Sequence, residues 1–102
     1  MKYLIRHTYQ CKRGQGPVYL ENLKVLLNIL RKEGMSDTKV CVDVTAGMDM
    51  VVWDLEVDSL DQFYAFQRAG YVDPDEQSSA YVNGMNESTV SGSRDIFEIV
   101  DL

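Results

Sequence analysis

His7 is the only histidine in a chain of 102 residues. It stands in an alternating stretch that places Tyr3, Ile5, His7, Tyr9 and Cys11 on one side and Leu4, Arg6, Thr8 and Gln10 on the other. An imidazole titrates near neutrality, and aromatic neighbours supply an apolar wall. Together they could position or deprotonate an acidic phenol or enol. Trp53, on a later alternating stretch, would face the same space as His7 and Tyr9, and Tyr64, Phe66, Tyr71 and Tyr81 would complete a pocket wall. The competing reading is structural: a lone histidine on an apolar strand side is a hydrogen-bonded core residue, and large aromatics dominate the cores of small domains.

Other chemistries find less support. Asp43, Asp54 and Glu56 lie among valines and a tryptophan, but neither Asp54 nor Glu56 has a recognisable acid/base companion, so a two-carboxylate mechanism is not indicated. Cys11 and Cys41 make no disulfide framework, and with one histidine there is no metal-ligand spacing; no cofactor is expected. A Gly-rich phosphate loop, a serine nucleophile elbow and a paired-cysteine motif are all missing from the sequence. Residues 1–39 hold 8 basic and 3 acidic residues, whereas residues 40–102 hold 2 and 13, within a net charge of −6. That balance repels nucleic acid and anionic membranes over most of the surface, and Lys12, Arg13, Lys24, Arg31 and Lys32 read as a solvated face. No apolar run approaches the ~20 residues that span a bilayer, and the opening MKYLIRHTYQCKRG lacks the apolar segment of a secretory signal, so the expected location is cytoplasmic.

The elements that must position these residues follow from periodicity. Residues 2–11 alternate as a strand. Pro17 suits a first helical turn, Tyr19, Leu23, Leu26, Leu27 and Leu30 form an apolar stripe, and Gly34 closes that helix. Residues 38–45 and 50–57 give two strands joined by a hairpin turn at AGMD. Ser59 with Gln62 predicts a capping box for a short helix carrying Leu60, Phe63, Tyr64 and Phe66 and stopped by Gly70. Asp73, Pro74 and Glu76 open a further, polar helix interrupted by Gly84. The last strand is expected over Arg94–Leu102, with its facing undetermined.

This order predicts an α+β class: one ferredoxin-like domain over residues 1–102, a βαββαβ sandwich with an extra helix before the last strand and a four-stranded antiparallel sheet. Helices cover one face. The other would carry Leu4, Arg6, Thr8, Asp43, Val52, Asp54 and Glu56. An antiparallel sheet can leave one face wet. Scattered aliphatics on that face instead favour closure against an identical copy, with Arg6 offsetting some of the carboxylates.

The opening MKYLIRHTYQCKRG, the segment VVWDLEVDSLDQFYAFQ and the closing SGSRDIFEIVD, taken with this layout, resemble the dimeric α/β-barrel superfamily, in particular its antibiotic-biosynthesis-monooxygenase and NIPSNAP-like groups. The resemblance covers nearly the whole chain as a pattern. It implies a homodimeric α/β barrel with a ligand cavity between sheet and helices. Members of the superfamily include cofactor-independent oxygenases, haem-degrading enzymes, isomerases and ligand-sensing domains. This chain has no histidine on its second or third helix to ligate haem iron, and His7 stands where haem-degrading members carry a polar pocket residue. The functional expectation is therefore cofactor-independent oxygenation or isomerisation of a small apolar aromatic metabolite, with His7 as base or orienting group. The alternatives are a non-catalytic ligand-binding or sensing module and a dimeric scaffold without a pocket.

Overall fold

The computed structural model describes residues 1–102, the side chain of Tyr71 excepted, so the expectation for Tyr71 lies outside the described residues. Seven elements follow one another: β1 (Lys2–Cys11), α1 (Gly16–Lys32), β2 (Thr38–Val42), β3 (Met50–Val57), α2 (Leu60–Val72), α3 (Glu76–Ser88) and β4 (Thr89–Ile99). The four strands form one antiparallel sheet in the order β2-β3-β1-β4 with the helices on one face, which is the α+β ferredoxin-like fold expected from the sequence. No helix among the described residues is long and apolar enough to cross a membrane.

Local chemistry accounts for most boundaries. Gly34, at φ 84, ends α1 in a left-handed cap. Its N–H donates to the Arg31 carbonyl at 3.1 Å, the Met35 N–H reaches back to Leu30 at 2.9 Å, and the buried Met35 packs behind the cap. β2 is shorter than expected and the turn correspondingly longer. The Asp43 carboxylate accepts the Met50 N–H at 2.8 Å and closes the ladder there, and Met48 and Asp49 then turn through positive φ. Val44 consequently stands 94% exposed outside the sheet.

Three other boundaries also move. The Ser59 hydroxyl caps α2 through the Gln62 N–H, but the Gln62 side chain donates to the Glu33 carbonyl, so only half of a capping box forms. α2 runs past Gly70 to Val72, just short of Pro74, and Asp75 rather than Asp73 caps α3 by accepting from the Ser78 N–H at 2.7 Å. Gly84 does not interrupt α3. It lets that helix approach α1 so closely that a Cβ there would overlap the Asn22 side chain.

β4 begins five residues before Arg94, and its register settles the facing. Ile96 lies opposite Ile5 and Arg94 opposite His7 on the helix side, whereas Phe97 and Ile99 pair with Leu4 and Lys2 on the other. The core is concentrated where α1 meets the centre of the sheet: Ile5, Leu23, Leu30, Val51 and Leu55 are each at most 1% exposed. Each such side chain stabilises the fold by about 1.5–3 kcal/mol. From α2, among the described residues, only Phe63 is buried. That helix therefore stands off the sheet and leaves a space beneath it.

Candidate functional site

A cavity of about 560 Å³ lies between the helix side of the sheet and all three helices. Its floor is one cross-strand row: antiparallel register sets Trp53 of β3, His7 of β1 and Arg94 of β4 side by side on the same face. The His7 and Trp53 rings stack at 3.7 Å between centroids with 8° between planes. The Trp53 Nε1–H donates to the Tyr19 Oη of α1 at 3.0 Å, which fixes the indole. Burial holds the Tyr19 phenol protonated by raising it well above the ordinary tyrosine range.

Arg94 completes the floor. Its Nε–H donates to His7 Nε2 at 3.0 Å, and its guanidinium carbon sits 5.2 Å from the centre of the Phe63 ring. Among the described residues it makes no ion pair, and its two terminal nitrogens have no hydrogen-bond partner. A planar fork with both outer nitrogens free is suited to bidentate contact with a carboxylate or to an ionised oxygen.

The arrangement dictates the state of His7. A nitrogen that accepts from a guanidinium carries no proton, so the imidazole is neutral with its hydrogen on Nδ1. Burial, then the charge of Arg94, holds its pKa down from 6.5 to about 4; the Trp53 backbone and Asp54 oppose this more weakly. No hydrogen bond of adequate geometry reaches Nδ1 among the described residues. The sequence expectation for His7 is a base or an orienting group. Its one accepting lone pair is already engaged, and protonation would set two cations against each other. In this structure His7 accepts from Arg94 and so holds its Nε in place.

Of the other residues expected at the pocket, Tyr9, Trp53, Phe66 and Tyr81 line the cavity with His7. Tyr64 does not: it is 44% exposed and meets the edge of Phe63 at 5.6 Å, pointing away from the floor. Sequence reasoning missed Arg94 and the pocket role of Phe63. Had β4 been placed in register with β1, the alternation would have set Arg94 beside His7. The cavity rim is acidic and polar, with Glu33 at the end of α1 and Asp73, Asp75 and Ser78 around the α2–α3 turn.

On the helix-free face, Leu4, Arg6, Thr8, Val52, Asp54 and Glu56 share one surface by register. Arg6 grips Asp54 through two hydrogen bonds of 2.9 Å, which hold that carboxyl below the usual carboxylate range. Asp43, expected with them, turns its carboxylate onto the Met50 main chain instead. Neighbouring Asp37 raises Glu56.

Solved structures of the same shape include a NIPSNAP family protein from Agrobacterium tumefaciens, 17% identical over 99% of this chain and 95% of that one, with a TM-score of 0.75. The cofactor-independent oxygenase SnoaB from Streptomyces nogalater is 7% identical over 99% and 95%, with a TM-score of 0.75. An antibiotic biosynthesis monooxygenase is 16% identical over 99% and 100%, with a TM-score of 0.73. These are the groups the sequence resembles, and at such identities the likeness establishes the fold. No protein-family model and no curated protein matches the chain.

The neutral histidine has a measurable consequence. Because its folded value, about 4, lies below the unfolded 6.5, the native state binds fewer protons in that window. The stability this contributes is full above 6.5 and is lost as pH falls toward about 4. Urea unfolding of wild type should therefore weaken by an amount on the order of 3 kcal/mol across this interval, beyond the loss seen in His7→Phe. Most carboxylates lie away from His7 and contribute to both proteins, so an equal loss of stability in the two would contradict the assignment.

Proposed function

We propose that the protein is a homodimer whose cavity takes an apolar aromatic metabolite through an acidic oxygen, and that it acts on this ligand by cofactor-independent oxygenation or isomerisation. The observation that carries the reading is the Arg94 guanidinium, fixed at Nε by a neutral His7 and lying over Phe63, with its outer nitrogens free at the solvent-open side of a cavity lined by aromatic, aliphatic and polar residues. A cation in such surroundings favours the ionised form of a phenol or enol. The resulting anion is electron-rich. It can reduce dioxygen directly, or take a proton back at a different carbon. The same cavity would serve a non-catalytic binding or sensing module. That second reading is favoured by the engaged lone pair of His7, which leaves no strong base on the cavity floor.

Support for the homodimer comes from the helix-free face. Phe97 and Ile99 are 50% and 40% exposed there, beside the half-buried Leu4 and Val52, and the Arg6–Asp54 pair neutralises its own charges. A second copy would cover this apolar strip with a self-complementary surface.

Two measurements test these statements. Binding of 2-naphthol, followed by quenching of the single tryptophan, should weaken by about tenfold or more in Arg94→Gln, the loss expected for a charged hydrogen bond. Unchanged affinity would remove Arg94 from the site, and binding without dioxygen uptake or isomerisation across a panel of phenols and anthrones would favour the sensing module. Light scattering should give twice the 11.6 kDa of one chain for wild type and a single chain's mass for Phe97→Asp. A wild-type protein of single-chain mass at high concentration would contradict the dimer.

A further inference from the structure

We infer that Gly92 is a specificity-determining residue: by leaving Tyr9 room to lie flat against β4, it keeps the cavity open beyond Arg94 and so sets how many fused rings the ligand can carry. This rests on the reading that the cavity takes an aromatic ligand with an acidic oxygen. Tyr9 and Gly92 are direct cross-strand partners, one row beyond His7 and Arg94 on the same face. Rows on one face are two residues apart, about 7 Å, roughly the width of one ring with its contacts. A Cβ at position 92 would overlap the Tyr9 ring.

The ring could not escape away from the cavity. It lies 5.0 Å from the Tyr19 ring, and Tyr19 is fully buried and bonded to Trp53. Val51, the cross-strand partner of Tyr9 on the other side, is 1% exposed. Displacement is thus directed into the cavity that Tyr9 lines. In the opposite direction the next row, Ile5 and Ile96, is closed: Ile5 is fully buried and neither residue lines the cavity. Along the strand direction, a ring system anchored at Arg94 can extend across the Tyr9–Gly92 row but not across the Ile5–Ile96 row.

An aromatic ring covering a glycine on an edge strand also has a purely structural use, since it replaces packing the glycine lacks. The two roles differ in what a substitution does. A structural pairing alone would make Gly92→Ala less stable without regard to ligand size. A specificity role makes the loss depend on ring count.

The test is anaerobic titration with 4-nitrophenol, 2-naphthol and dithranol, which carry one, two and three fused rings, followed by quenching of Trp53. In Gly92→Ala, affinity for 4-nitrophenol should stay within about twofold of wild type while dithranol weakens by about tenfold or more, the penalty for overfilling an apolar pocket. Adding Tyr9→Leu should restore dithranol. If Gly92→Ala does not fold, Tyr9→Trp with the native glycine fills the same row and, titrated by calorimetry because it adds a second tryptophan, should show the same selective loss. Losses independent of ring count, or no loss, would overturn the role of Gly92 while leaving the ligand reading intact. Failure of wild type to bind any of the three would overturn both.

Discussion

A single hydrogen bond between a buried imidazole and an arginine organises the cavity. Arg94 would otherwise be a long, mobile cation on an edge strand, free to swing into water. Its Nε–H is spent on His7 Nε2, its flat face is spent on Phe63, and only the outer nitrogens remain to act. The bond is bought with protonation: His7 must stay neutral, and burial together with the guanidinium charge keeps it so. Stacking on Trp53, itself anchored by Tyr19, removes the remaining freedom of the imidazole. Four side chains from two strands and two helices thus hold one fork in place, which is the pre-organisation a binding or catalytic site needs.

The cavity exists because the helices divide their work unequally. α1 provides the packing, with Leu23 and Leu30 pressed into the sheet, and α3 lies against α1 where Gly84 admits Asn22. α2 provides little packing, and its one buried residue among those described is Phe63, which also roofs Arg94. A fold of this size gains most of its stability from one compact core. Here that core sits at one end of the helix layer and leaves the other end open beneath α2.

Much of this was legible in the sequence, and the failures have identifiable causes. The strict alternation of β1 and β3 and the leucine stripe of α1 are local signals strong enough to fix element type, facing and order. Boundaries moved where a side chain competed with the main chain: Asp43 closed the hairpin early, and Asp75 displaced Asp73 as a cap. β4 was the weak point. Its first residues, Thr89 to Ser93, are small, mostly polar and interrupted by glycine, so they read as a loop. The glycine is tolerated because the Tyr9 ring covers it. His7 was recognisable as unusual, but the partner that determines its role is 87 residues away in sequence, and only sheet register brings the two together. Tyr64 illustrates the converse error, an aromatic on the right helix but outside the cavity.

Because the chain has one histidine, its protonation state is directly observable. The decisive measurement is the pair of ring 15N shifts of His7 in uniformly labelled protein between pH 7 and 5, which distinguish the two neutral tautomers and the imidazolium. A neutral ring protonated on Nδ1 and unprotonated on Nε2 throughout that range is the expected result. A proton on Nε2, or an imidazolium at neutral pH, would mean that His7 does not accept from Arg94, and the site as described would not exist.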